Sequence, residues 1–238
     1  MPSSEQRALK KILNLETKQP RYKTPFSSRL RLKLRLVLPI ISKADRSFEQ
    51  RKDFPNRFKD FLIIVHSIIR ASVPLMKAAE LECKQLKGDN LCSDLAKYYH
   101  EHSIEEMNHD EWLIDDLKLL EVSREEVLSK KPSQTVAELV GSQYYWIHHL
   151  HPCYLLGYIL VLEGYPLGKK DLDRLLKKTG FPEKSFRTLA EHSSLDVHHL
   201  EELDKTLDQL PLSEKHEEWI TLNAIYTIRK CAEILYSS

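Results

Sequence analysis

The sequence predicts an all-α protein, and three observations lead to that fold class. Only six glycines occur in 238 residues. Apolar residues recur at intervals of three and four along the long segments, which is the period of an amphipathic helix. Those segments end at helix breakers such as Gly88-Asp89-Asn90 and Gly164-Tyr165-Pro166. We therefore expect a bundle of about seven to eight helices.

The helices can be placed in order along the chain. Long helices are predicted at 54–86, 90–120, 134–163, 182–208 and 213–236, and shorter ones at 4–14, 123–130 and 168–178. Pro74 and Pro152 fall inside two long helices, where each removes one backbone hydrogen bond. We predict that both helices stay continuous but bend.

The segment 29–36 alternates leucine with arginine or lysine. This period of two fits an exposed strand or a basic arm, and a helix lying on the bundle fits equally well. We assign 1–45 as an N-terminal basic segment that packs on or extends from the bundle, and 46–238 as the helical domain. The segment is short, which makes a role at a membrane surface the weaker interpretation.

The composition argues against several classes of protein. Lysine and arginine total 36 against 35 aspartate and glutamate, so the net charge of +1 gives no general attraction to nucleic acid. We find no run of about eighteen apolar residues and expect no membrane span. The four cysteines are scattered without a paired spacing, which is typical of reduced thiols. These features indicate a cytoplasmic protein.

Glu106 and His109 form the first candidate site. At about 100° per residue they fall in one sector of the predicted helix, together with His102 and Glu105. A Glu-x-x-His pair is a recurring ligand pair of di-iron carboxylate bundles. Taken alone, such a pair is more often a solvated helix face.

A second group of candidates lies on a later helix. His192, Asp196 and His199 share one face, because steps of four and three residues both return close to the starting direction. His198 is turned away from that face and is excluded as a ligand. We interpret the three residues on the shared face as metal ligands.

Glu163 is the remaining candidate. It ends an apolar run in which a carboxylate is costly unless it is paired or bound to a cation. The alternative is that it caps the helix end. With the other five residues it completes a set of three carboxylates and three imidazoles, which favours iron or manganese over a thiolate-bound zinc.

These motifs resemble those of the heme-oxygenase-like di-iron oxidases and oxygenases, a family of iron-containing redox enzymes. The resemblance covers about residues 50–236 and rests on the segments 102–112, 157–164 and 192–199. It implies a heme-oxygenase-like bundle with two ferrous ions, or manganese, on Glu106, His109, Glu163, His192, Asp196 and His199. Some members of the family place the first carboxylate seven residues before the histidine. That position is His102 here, so Glu106 is the better candidate, and His102 and Glu105 remain alternatives.

The resemblance also implies a function. It predicts an O2-activating oxidase or oxygenase acting on a small organic molecule such as a fatty acid, an amino acid or an aromatic precursor. The electron donor stays open, and a homodimer is a candidate assembly. Two alternatives keep the fold, namely a heme-degrading or a thiaminase-like enzyme, and a third is a non-enzymatic metal-binding bundle. Heme ligation needs only one imidazole, and a thiaminase-like enzyme needs an activated cysteine, so both fit the acid-rich set poorly.

Overall fold

The computed structural model describes residues 24–165 and 167–238, without the side chains of Asp196 and Val197. Within that part the chain forms eleven α-helices, two short 3-10 helices and no strand. The α-helices are α1 Phe26–Leu34, α2 Pro39–Glu49, α3 Phe54–Gln85, α4 Cys92–Glu105, α5 His109–Lys118, α6 Arg124–Ser129, α7 Gln134–His149, α8 Leu155–Glu163, α9 Lys169–Thr179, α10 Arg187–Gln209 and α11 Glu214–Ser237. The all-α prediction is confirmed, with more and shorter helices than expected.

The predictions at 54–86, 123–130, 168–178 and 213–236 are confirmed to within one residue at each end. The helix predicted at 182–208 begins later, at Arg187, because a 3-10 helix occupies Glu183–Phe186. The helix predicted at 4–14 lies outside the described residues.

The segment 90–120 folds as two helices, which corrects the prediction of one. α4 ends at Glu105 and α5 begins at His109, because Asn108 adopts the left-handed conformation with φ of 70°. Asparagine tolerates this conformation better than most residues. Glu106 and His109 therefore lie on either side of a turn and not on one continuous helix.

The segment 134–163 also divides, where the sequence predicts a bent helix through Pro152. α7 ends at His149, and His151 is extended with φ −159° and ψ 139°. A proline disfavours the helical conformation in the residue before it. Pro74, in contrast, lies inside α3, which runs unbroken as predicted.

The alternating segment 29–36 is not a strand, because most of it lies in helix α1, Phe26–Leu34. Leu30 and Leu34 are fully buried, whereas Leu32 is 65% and Leu36 83% exposed. Positions four apart share a helix face, so only every second leucine of the alternating pattern reaches the core.

Ion pairs hold α1 on the bundle. Arg31 contacts the carboxylate of Asp204 on α10 at 2.8 Å, and Arg29 pairs with Glu217 on α11. The division of the chain at 45/46 stays a prediction, and that boundary falls inside α2.

The central element is α8, which is apolar on all sides. It contacts α3, α7, α10 and α11, and its residues from Leu155 to Val161 are all buried. Gly157 lies so close to α11 that a Cβ atom there would come within 2.8 Å of the Ala224 amide nitrogen. The packing of α8 sets the position of Glu163 at its end.

One helix is apolar enough to cross a membrane by length and composition alone. An 18-residue window in α3 has a mean hydropathy of 1.5. The sequence reading did not identify this window. A single such helix is weak evidence, because core helices also pass this test, and α3 packs against α4, α5 and α7. The absence of a membrane span stays a prediction.

Gly157→Ala should lower the free energy of unfolding by roughly 3 kcal/mol, because the added methyl group meets backbone atoms of α11 that cannot rotate away. The matched control is Gly141→Ala in α7, where a Cβ atom meets nothing within 4 Å. That variant should be more stable by about 0.5–1 kcal/mol. Urea denaturation measures both, and equal stability of the two variants would contradict this packing.

Candidate metal centre

Six imidazole and carboxylate side chains meet at the centre of the bundle. They come from the end of α4, the start of α5, the end of α8 and two turns of α10. The residues are His102, Glu106, His109, Glu163, His192 and His199. The structure thus brings together five of the six predicted site residues. The side chain of the sixth, Asp196, lies outside the described residues.

The first group consists of His102, Glu106, Glu163 and His199. One ligand atom from each lies within 4.8 Å of the others. Nε2 of His102 is 2.9 Å from Oε2 of Glu163, and Nδ1 of His199 is 3.3 Å from the same oxygen. His102, an alternative in the sequence interpretation, is therefore a full member of the group.

The second group consists of Glu106, His109 and His192. Nδ1 of His109 is 3.2 Å from Oε2 of Glu106 and 3.1 Å from Nε2 of His192. Metal–ligand bonds of about 2.0–2.2 Å place neighbouring ligand atoms about 3 Å apart. These separations therefore suit three ligands of one ion.

Glu106 belongs to both groups. Its Oε2 faces His109, and its Oε1 is 3.8 Å from Nδ1 of His199. The carboxylate is 8% exposed and lies between the two sets of imidazoles. This arrangement places one carboxylate oxygen at each of two adjacent positions.

Burial and charge determine the protonation of the first group. Burial raises the pKa of Glu163, but the hydrogen bonds and charges of His102 and His199 outweigh this effect and hold the pKa at about 2. Burial lowers the pKa of His102, and the neighbouring carboxylates of Glu163 and Glu106 outweigh it and raise the pKa to about 9. A metal ion must therefore displace a proton from His102.

The second group carries a neutral imidazole. Burial lowers the pKa of His192, and the charge of His109 contributes in the same direction. A neutral ring nitrogen is the form that binds metal. His192 therefore needs no deprotonation before it coordinates.

Unpaired polar atoms test whether the residues fit a metal. Nδ1 of His102, Oε2 of Glu163 and Nδ1 of His199 are buried and lie near charged neighbours, but none of the three makes a hydrogen bond of regular geometry. Buried polar atoms in native proteins are almost always paired, and each exception asks for an explanation such as an ion. Two of these atoms, on Glu163 and His199, face one another across the first group. The donor set of four imidazoles and two carboxylates fits iron.

Glu105 lies at the outer edge of the centre. Its carboxylate is 3.5 Å from His102 and 3.6 Å from His199, and its side chain is 41% exposed. The oxygen approaches Nε2 of His199, the ring nitrogen opposite the one that faces Glu163. This position suits an outer partner that orients a ligand.

The sequence reading missed a further polar group, formed by Asp89, Cys92 and His151. Nδ1 of His151 accepts the backbone N–H of Cys153 at 3.1 Å, and its Nε2 faces Asp89 at 3.4 Å. The group is therefore a hydrogen-bonded core cluster, and no short motif links residues so far apart in sequence.

Two cavities reach the centre. A polar cleft of about 590 Å³ is lined by His102 and Glu105. A smaller cavity of about 260 Å³ is lined by Glu106, Glu163 and His192, and its other walls are mainly aliphatic and aromatic. A molecule in the smaller cavity therefore lies next to ligands of both groups.

The fold and the buried ligands define a heme-oxygenase-like helical bundle with a carboxylate and histidine centre. A family model described as iron-containing redox enzyme matches residues 58–227. The chain belongs to that enzyme family.

Solved structures share the fold. A domain of unknown function with a heme oxygenase-like fold from Shewanella denitrificans is 20% identical, with a TM-score of 0.65 over 86% of this chain and 90% of that one. A TenA homolog from Pseudomonas syringae is 11% identical, with a TM-score of 0.66 over 89% of this chain and 91% of that one. No curated protein sequence matches. At these identities the structures establish the fold alone.

Ferrous iron or manganese should raise the melting temperature. The ions bind the folded centre, so about a hundredfold excess over the dissociation constant should add roughly 5–10 °C. Differential scanning calorimetry under argon measures the shift. Magnesium is the control, because it prefers an all-oxygen shell and should shift the transition far less. An unchanged transition with saturating iron would argue against a buried site.

Proposed function

We propose that this chain is a non-heme di-iron oxidase or oxygenase that activates O2 and oxidises a small organic substrate. Family membership supports an iron redox enzyme. The number of ions, their ferrous state and the reaction with O2 are parts of the proposal. Manganese is an alternative metal with similar ligand preferences.

The shared position of Glu106 carries the proposal. Its two oxygens face different imidazoles, His199 on one side and His109 on the other. Both oxygens of a carboxylate that chelates one ion face the same ligand group, whereas oxygens that face two separate groups would each hold a different ion. Carboxylate-bridged pairs of this kind are typical of di-iron helical bundles.

The residues of this chain hold the ions and shape their surroundings. Bound iron would supply the reaction with O2 and the oxidation itself. Glu106 and Glu163 would provide negative charge that offsets part of the charge of two cations in a buried site. Aliphatic side chains such as Leu113 and Leu162 line the adjacent cavity and exclude water from the substrate side.

The alternatives with the same fold receive less support from the geometry. A heme needs one axial imidazole, whereas four imidazoles and two carboxylates converge here. A thiaminase-like mechanism needs an activated thiolate. Cys231 lines the smaller cavity, and burial raises the pKa of its thiol to about 12, which keeps it protonated at neutral pH.

The first test is metal content and oxygen uptake. Protein loaded anaerobically with ferrous iron should bind close to two ions, since two ligand groups share Glu106, and it should consume O2 on exposure. Iron analysis and an oxygen electrode measure the two quantities. Binding of one zinc ion and no iron would refute the proposal, and iron without O2 uptake would favour a storage role.

The second test compares neighbouring histidines. His199→Gln removes an imidazole from the first group, so the variant should keep roughly one iron and lose O2 uptake. His198→Gln is the matched control, because His198 is 67% exposed and lies near Glu202, away from the centre. This control should keep both ions and normal uptake. Loss of metal in the His198 variant alone would place the site on the other face of α10.

A further inference from the structure

The cavity beside the centre does not end at its inner walls. It shares six wall residues with a second cavity of about 460 Å³ that lies farther from the metal ligands. The shared residues are Phe61, Val65, Tyr165, Leu167, Leu189 and Leu235. The two cavities are therefore adjacent parts of one passage, which starts at Glu106, Glu163 and His192.

The size and walls of the passage indicate the shape of its ligand. The inner cavity of about 260 Å³ alone is smaller than most small-molecule sites, which span roughly 300–1,000 Å³, and the outer cavity brings the passage into that range. Five of the six shared residues are aliphatic or phenylalanine, and Phe48, Phe54 and Phe58 continue the apolar wall outward. An elongated aliphatic molecule fits such a passage, because its length follows the passage and its burial releases water.

The outer rim carries charge of one predominant sign. Asp45, Glu49 and Asp171 line it together with Arg174. The Arg174 guanidinium is already engaged, by Asp171 at 2.6 Å and by Glu49 at 3.2 Å. Lys178 also pairs with Glu49, at 3.1 Å, so three carboxylates face two engaged cations. The remaining excess of negative charge disfavours an anionic group relative to an uncharged or cationic one.

We infer that the substrate is an elongated, mainly aliphatic molecule with an uncharged or cationic polar end at the acidic rim and its hydrocarbon part beside the metal centre. That the bound molecule is a substrate rests on the proposed function. That the passage binds such a molecule does not. Carboxylates of the same length bind more weakly than amines, because of the charge at the rim. The binding site thus selects by length and by the charge of the outer end.

The test is binding without turnover. Manganese-loaded protein is titrated calorimetrically under argon with hexyl, octyl and decyl amines, alcohols and carboxylates below their micelle concentrations. Affinity for amines and alcohols should rise about fourfold with each added methylene group. Carboxylates should bind several-fold more weakly than amines of equal length. Affinity that does not change with length, or tightest binding of carboxylates, would overturn the inference.

Variants test the path. Leu189→Trp puts a larger side chain where the two cavities meet. The increase in affinity from octyl to decyl compounds should therefore disappear. Leu119→Trp is the matched control, because Leu119 is 50% exposed and lines neither cavity. Val65→Phe narrows the same wall from α3 and replaces the first variant if that one does not fold. If a folded wall variant shows the same increase in affinity with chain length as the wild type, the ligand does not run through both cavities.

A substitution at Asp171 tests whether the charge at the outer rim selects the bound molecule. Asp171→Asn removes one negative charge and should raise the affinity for carboxylates while leaving alcohols unchanged. An unchanged ratio of amine to carboxylate affinity would contradict selection by the rim.

The two proposals fail separately. Length-dependent binding without O2 uptake by the iron form would refute the oxidase and leave the binding site standing. Uptake of O2 with a short polar substrate, together with no binding of alkyl compounds, would refute the passage and leave the oxidase standing.

Discussion

The buried carboxylate of Glu163 is the constraint on which the centre depends. It ends α8, a helix that is apolar on all sides, and its Oε2 atom is buried although the side chain as a whole is 16% exposed. Removing such a charge from water costs several kcal/mol unless positive or hydrogen-bonding groups compensate. His102 and His199 supply that compensation, and both are almost fully buried. One ionic cluster therefore links the ends of α4 and α8 to α10, and this cluster is also where a metal fits.

Two interruptions of regular helix shape this cluster. The left-handed Asn108 ends the first ligand helix and turns His109 toward His192, while Glu106 stays at the end of α4. The second interruption, before Pro152, separates α7 from α8 and frees α8 to pack closely on α11. A single straight helix through either segment would not present the same groups. The breaks thus contribute directly to the site.

The sequence predicts the fold class and much of the centre, and its errors have physical causes. Periodicity identified most of the long helical segments. The energetic cost of burying the Glu163 carboxylate predicted that a pairing group or a cation lies next to it. Helical arithmetic predicted that Glu106 and His109 lie side by side, and they do meet, at 3.2 Å, but across a turn and not on the unbroken helix that the arithmetic assumes. His102 belongs to the first ligand group because the end of α8 brings Glu163 next to it. The cluster around His151 likewise depends on contacts between segments that are distant in sequence. Neither is visible in local spacing.

The helices differ in whether they carry candidate ligands or line the apolar passage. The ligands come from α4, α5, α8 and α10, whereas α3 contributes none and instead lines the apolar passage with Phe61 and Val65. Ligand positions must be kept to within fractions of an ångström for a metal to bind, while an apolar wall accepts side chains of different volume at modest cost. The walls on α3 can therefore change the bound molecule without disturbing the metal ligands. In the proposed enzyme α3 would therefore contribute to specificity only, whereas α10 would contribute both metal ligands and the wall residue Leu189.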